Sequence, residues 1–417
     1  MSMSSRLRRA SLRRRPRKVF LHIGAMKTGT TYLQHLMDEN RQNLAKAGFL
    51  FPGESWRDQW LAVLDVLAST AGTVSRTPES QGMWQKVTAE MLAHRGRASV
   101  LSMEFLSYAD PEQAAQVLAA FPDREVHVVI TVRDARSAVP AQWQTSCRMA
   151  GTVPLPRLIT AMGKPVDDPG EGRAAKLLQR TQGIRRMLDV WTPLVGAERV
   201  HVVTVPPKGS DPTLLWTRFA GVLGLRPSLC RPPTTYIHTS LGYTSSELLR
   251  LLNVALGPDA KSPETRRVKR ELVGHLLHHT DEEPPIRLNR RGLRLAARWN
   301  QAVRGAITDS GVHLVGDLDD LTVGPPPPDA PAELTTPSTQ ELLEVALVSR
   351  AFLESLRERL AADVSGTTTA HPGAGPTAPA RVPEGEPETV LEETVDALAG
   401  LVRECIDLNR KVAAPLP

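Results

Sequence analysis

Over its first half the chain alternates short apolar runs with segments whose apolar residues recur at helical spacing. Residues 18–23 (KVFLHI) read as one buried strand. The glycine-containing stretch 24–31 (GAMKTGTT) follows, and then Tyr32, Leu33, Leu36 and Met37 share one helical face. The unit is strand, loop, helix. Residues 97–102 (RASVLS) predict a second strand, and residues 111–121 a helix with Pro111 at its first position and Asp110 as cap. Residues 125–132 (EVHVVITV), rich in β-branched side chains, carry the strongest strand signal. A helix from about Arg136 to Met149 follows, with Pro140 in its first turn or at a kink. Residues 199–205 give a fourth strand and residues 211–225 another helix, capped by Asp211 with Pro212 at its first position.

Strands alternating with helices predict an α/β fold with a parallel sheet covered on both faces. Ligands on such sheets bind beyond the carboxyl ends of the strands. That rule puts residues 24–31, Glu104 and Arg133 on one rim, because each closely follows a strand. From about 226 to 310 the spacing is helical, and residues 312–321 offer a last short strand. The plan is a basic, disordered arm over 1–17, an α/β domain over 18–325, and a proline-rich linker over 326–337. A helical extension over 338–417 completes it, with an unstructured, low-complexity segment at 365–388.

Composition changes this picture little. The chain has 417 residues, 41% of them hydrophobic, enough for a large core, but only 4% aromatic, so Leu, Val, Ala and Ile must fill it. The net charge of +6 suits an anionic partner. Much of that excess sits in the arm, however, and no nucleic-acid partner is expected. The run from Arg287 to Arg304 leaves open a solvated face, an anionic acceptor or peripheral contact with acidic lipid. Cys147, Cys230 and Cys405 lie too far apart for a disulfide framework or a metal knuckle. No apolar run reaches the ~20 residues of a membrane span, and the chain reads as cytoplasmic.

The candidate chemistry begins in the loop. GAMKTGTT has the spacing Gly-x-x-x-x-Gly, but Thr30 stands where a nucleotide kinase carries its lysine, and Lys27 sits three positions earlier. Glycines let backbone amides turn onto an anion, the helix N-terminus adds a favourable dipole, and threonine hydroxyls offer further donors.

With its flanks, FLHIGAMKTGTTYLQ resembles the 5′-phosphosulfate loop of sulfotransferases that use 3′-phosphoadenosine 5′-phosphosulfate (PAPS), in particular bacterial carbohydrate- and lipid-type members. The resemblance implies a P-loop-like fold and a PAPS donor held by Lys27, Thr28, Gly29, Thr30 and Thr31. It makes Lys27 the stabiliser of charge on the bridging oxygen. No metal is required, since a sulfuryl group carries a single negative charge. VHVVITVRDARSAVPAQWQ (126–144) is similar to the family's 3′-phosphate signature, and Arg133 matches the arginine that grips that phosphate. Ala141 stands where the family carries a serine; Ser137, Gln142 and Gln144 are the available substitutes. The resemblance covers roughly residues 18–325.

Transfer to a hydroxyl or amine needs a base. Glu104, just past the second strand, takes that role by resemblance and placement. His22, His127 and His201 fall inside strands and read as structural, and Asp134 reads as an ion-pair partner of Arg133 or Arg136. The reading is sulfuryl transfer from PAPS to a carbohydrate, glycolipid or small-molecule acceptor. The alternatives are a non-catalytic nucleotide-binding module and a P-loop kinase or NTPase. Neither acceptor nor oligomeric state is legible.

Overall fold

A computed structural model of the protein describes residues 16–68, 77–164, 170–231, 241–278, 283, 285–365 and 385–413. Most of the arm and of the low-complexity segment lies outside the described residues. Six strands form one sheet: β1 (Lys18–His22), β2 (Phe49–Leu50), β3 (Ala98–Ser102), β4 (Glu125–Val132), β5 (Val200–Thr204) and β6 (His313–Val315). Their order is β2-β3-β1-β4-β5-β6, and every pairing is parallel. The fold is α/β, as the alternation predicts, with helices flanking the sheet and a helical C-terminal region.

The order positions the loop. β1 lies between β3 and β4, in register through Leu21 with Leu101 on one side and Val128 on the other. Strands buried on both faces read as continuous apolar runs, and β3 is buried along its whole length. Phe20, Leu33, Leu36, Met37, Val129 and Phe219 form the core on the face covered by the helix Thr30–Glu39.

The described residues fall into two compact units. The first, bounded by Met1–Val132, Ile184–Thr234 and Ala306–Asp317, holds the sheet; the second comprises Arg133–Gly183, Thr235–Gly305 and Leu318–Pro417. In the second unit the helices Thr339–Ser365 and Pro387–Ala413 pack on each other through Leu343, Leu347 and Val390. Among the described residues no helix is long and apolar enough to cross a membrane.

Two local expectations are corrected. The helix expected from Asp211 begins at Leu214 with Thr213 as cap. The Asp211 carboxylate instead accepts from the backbone and the hydroxyl of Thr213, a turn preceding the helix. Pro140, expected in the first turn or at a kink, is buried inside the helix Ala135–Met149 and lies beyond its first turn.

Candidate functional site

The loop leaves β1 still attached to β4. Ile23 N–H donates to the Val129 carbonyl at 2.9 Å, and Ala25 N–H to the Thr131 carbonyl at 2.8 Å. The chain then turns through three residues of positive φ: Gly24 (75°), Lys27 (61°) and Gly29 (80°). Among the described residues Lys27 is the only non-glycine in that region. A side chain there costs about 1–2 kcal/mol and persists only where its surroundings dictate the backbone. Gly29 caps the helix Thr30–Glu39 and brings no side chain to accept from its first-turn amides. An anion would meet those donors, aided by the helix dipole.

The hydroxyls divide. Thr31 is exposed and Thr30 buried. The Thr28 hydroxyl, read from sequence as an anion donor, is fully buried and donates to the Ala25 carbonyl at 2.6 Å.

Beneath the loop lies a buried polar chain. The Thr28 hydroxyl is 2.6 Å from that of Thr131 on β4, which is 3.1 Å from His22 Nε2 on β1. His22 Nδ1 is 2.7 Å from the Ser102 hydroxyl on β3. All four side chains are fully buried, and burial drives the His22 pKa from 6.5 down to about 3. His22 is the hydrogen-bonded core histidine that its place in a strand implies. The roles of Thr131 and Ser102 escape the sequence, because their partners depend on a register between strands about 80 and 109 residues apart.

Glu104 opens the short turn Glu104–Tyr108 directly after β3. Gln34, on the helix following the loop, donates to the Glu104 carboxylate at 2.8 Å and to the Ser102 carbonyl at 3.1 Å. A Cβ on Gly24 would come within 2.7 Å of the Glu104 Cβ. Glu104 is thus packed against the entry of the lysine-bearing loop, half-buried rather than free in solvent.

Arg133 follows β4 directly and opens the second unit. Burial lowers its pKa from the usual arginine value while Asp134 opposes the shift, and the guanidinium stays charged. Asp134 is a helix cap rather than an ion-pair partner of Arg136: it accepts from the Arg136 backbone N–H at 2.9 Å. Asn300 locks this cap, donating to Asp134 at 2.7 Å and accepting from Ala135 N–H at 3.0 Å. Of the substitutes for the serine missing at Ala141, Gln144 donates its amide to the Leu241 carbonyl at 2.5 Å. Gln142 is buried and Ser137 exposed.

The other strand histidines lie toward the amino ends of the strands, away from the loop. His127 bonds Glu125 at 2.7 Å and His201 at 3.0 Å, and the rings of His127, His201 and His313 stack in turn across β4, β5 and β6. Among the described residues no group of His, Cys, Asp or Glu is arranged to hold a metal ion.

No family model matches the chain, and neither does any curated protein. Among solved structures the chain is similar to a sulfotransferase from Alicyclobacillus acidocaldarius, at 15% identity and a TM-score of 0.32. The alignment covers 65% of this chain and 97% of that one. A likeness so distant assigns neither activity nor substrate to this chain.

Proposed function

We propose that this protein is a sulfotransferase that moves a sulfuryl group from PAPS to a hydroxyl or amine acceptor. The observation that carries the reading is Lys27, held at positive φ between Gly24 and Gly29 where the central strand β1 runs into a helix N-terminus. Backbone amides of residues 28–31 would cradle the phosphosulfate, and Arg133 would hold the 3′-phosphate. Glu104 would take the proton from the acceptor as its oxygen or nitrogen attacks sulfur. The bond from sulfur to the bridging oxygen breaks, Lys27 stabilises the charge growing on that oxygen, and adenosine 3′,5′-bisphosphate leaves.

The acceptor class proposed is a carbohydrate, glycolipid or small-molecule hydroxyl, in a bacterial, cytoplasmic setting. The 18–325 stretch is proposed as the transferase region, with 326–337 as linker and 338–417 as extension. Thermal unfolding with adenosine 3′,5′-bisphosphate or magnesium–ATP tests the donor. A ligand of the native state at about 100 times its Kd adds about 2.7 kcal/mol of stability. A marked rise with the bisphosphate alone is expected; a rise with magnesium–ATP alone would replace the reading with a P-loop kinase or NTPase. Bisphosphate binding without turnover of labelled PAPS on any acceptor would leave a nucleotide-binding module.

A further inference from the structure

Beneath the loop, hydrogen-bond accounting leaves one arrangement of protons. A carbonyl can only accept, so the Thr28 hydroxyl gives its proton to Ala25 O. The 2.6 Å contact between the Thr28 and Thr131 hydroxyls then takes its proton from Thr131. With that proton used, the Thr131 oxygen must accept from His22 Nε2–H at 3.1 Å. A neutral imidazole carries one N–H, so His22 Nδ1 accepts from the Ser102 hydroxyl at 2.7 Å. Every polar atom in this fully buried set is satisfied. In the other tautomer Nε2 would take the Thr131 proton, and the two threonine oxygens would face each other with none between them. Thr28 could fill that gap only by releasing Ala25.

Thr131 therefore ties the loop on both sides of Lys27. Its carbonyl takes Ala25 N–H at 2.8 Å, and its hydroxyl holds Thr28. Between those ties stands the one non-glycine residue of positive φ among those described.

We infer that His22 is a positioning residue for the loop: as the Nε2–H tautomer it orients the Thr131–Thr28 pair that keeps the Lys27 backbone left-handed. Its importance for transfer rests on the donor-loop reading above. The tautomer and the Lys27 conformation do not.

The test is nuclear magnetic resonance on the full chain with isotope-labelled histidine and lysine, in wild type, Thr131→Val and Thr131→Ser. The wild type is expected to show a protonated Nε2 and a bare Nδ1 at His22, and left-handed carbon shifts at Lys27. Thr131→Ser keeps the hydroxyl and should preserve both signatures. Thr131→Val keeps the shape, loses the hydroxyl, and should move both. Affinity for adenosine 3′,5′-bisphosphate should then fall about tenfold in Thr131→Val and recover in Thr131→Ser. A wild-type His22 protonated at Nδ1, or unchanged Lys27 shifts in folded Thr131→Val, overturns the inference. Should Thr131→Val fail to fold, the wild-type tautomer and Thr131→Ser still decide it. Wild-type protein that shows both signatures but binds no bisphosphate overturns the donor reading and leaves the positioning role standing.

Discussion

A Cβ on Gly24 would stand 2.7 Å from the Cβ of Glu104, so the entry of the loop and the turn after β3 leave no room between them for a methyl group. Gly24 also has φ 75°, where a side chain is strained whatever the space around it. Gly24→Ala should therefore push Glu104 and the loop apart. We expect a stability loss of at least about 1–2 kcal/mol in denaturant titrations, together with weaker binding of adenosine 3′,5′-bisphosphate. Wild-type stability and affinity in this variant would contradict the packing described.

Lys27 carries the proposed transition-state charge, so its removal should act on the rate more than on binding. Loss of one group of this kind costs on the order of 10²–10³ in turnover. Lys27→Ala should show that loss with labelled PAPS at saturating donor. A near-normal rate would remove Lys27 from the mechanism.

How much of this was legible in the sequence depends on the range of the interactions. β4 runs over Glu125–Val132 as its β-branched pattern predicts, and Asp110 caps Pro111–Ala119 through bonds three residues apart. Such features are written locally. β2 escaped notice because Phe49–Leu50 is two residues long and has no periodicity to read. The helices Trp56–Leu67, Met83–Ala93 and Arg173–Gln182 lie in stretches to which the sequence pattern assigns no element. The loop motif gave Lys27 but not its strained backbone, and it offered the Thr28 hydroxyl to a ligand. That hydroxyl is turned inward by Thr131, a partner 103 residues away that only the sheet register supplies.

Acid should weaken the fold through two histidines, His22 fully buried and His201 half-buried. His22 and His201 are held at about 3 and about 4, mainly by burial, against 6.5 for an exposed imidazole. Between 6.5 and those values the unfolded chain binds protons that the folded chain refuses, so stability rises with pH. Their contribution is complete above pH 6.5 and is lost as pH falls toward 4 and then 3. A fully buried histidine such as His22 changes stability by about 1.4 kcal/mol per pH unit inside that window. Urea unfolding at pH 7.5, 6 and 5 should show this slope, and His201→Asn should flatten it. Equal slopes in the variant and the wild type would remove His201 from the account.

Alkali should act in the opposite sense on a different buried group. The Lys269 ammonium is 1% exposed, and it donates to Asn253 Oδ1 at 2.5 Å and to the Cys147 and Met149 carbonyls at 3.3 and 3.5 Å. It thereby ties the end of the helix Ala135–Met149 to Asn253, whose own amide donates to the Cys147 carbonyl at 2.8 Å. Burial lowers its pKa from 10.5 to about 8. Between those values the unfolded chain holds a proton that the folded chain has released, so this lysine's contribution improves as pH rises from 8 to 10.5. Ionising thiols and tyrosines also titrate there, so the informative quantity is the difference between wild type and Lys269→Met. At pH 7 that difference combines a lost hydrogen-bond set with relief from a buried charge, and it should be small. Near pH 10 the wild-type amine is neutral and its two remaining N–H groups still serve Asn253 Oδ1 and one of the carbonyls, while the variant leaves Asn253 Oδ1 without that donor. The wild type should then lead by about 1–3 kcal/mol. A gap that stays constant from pH 7 to pH 10 would mean that Lys269 does not titrate inside the fold.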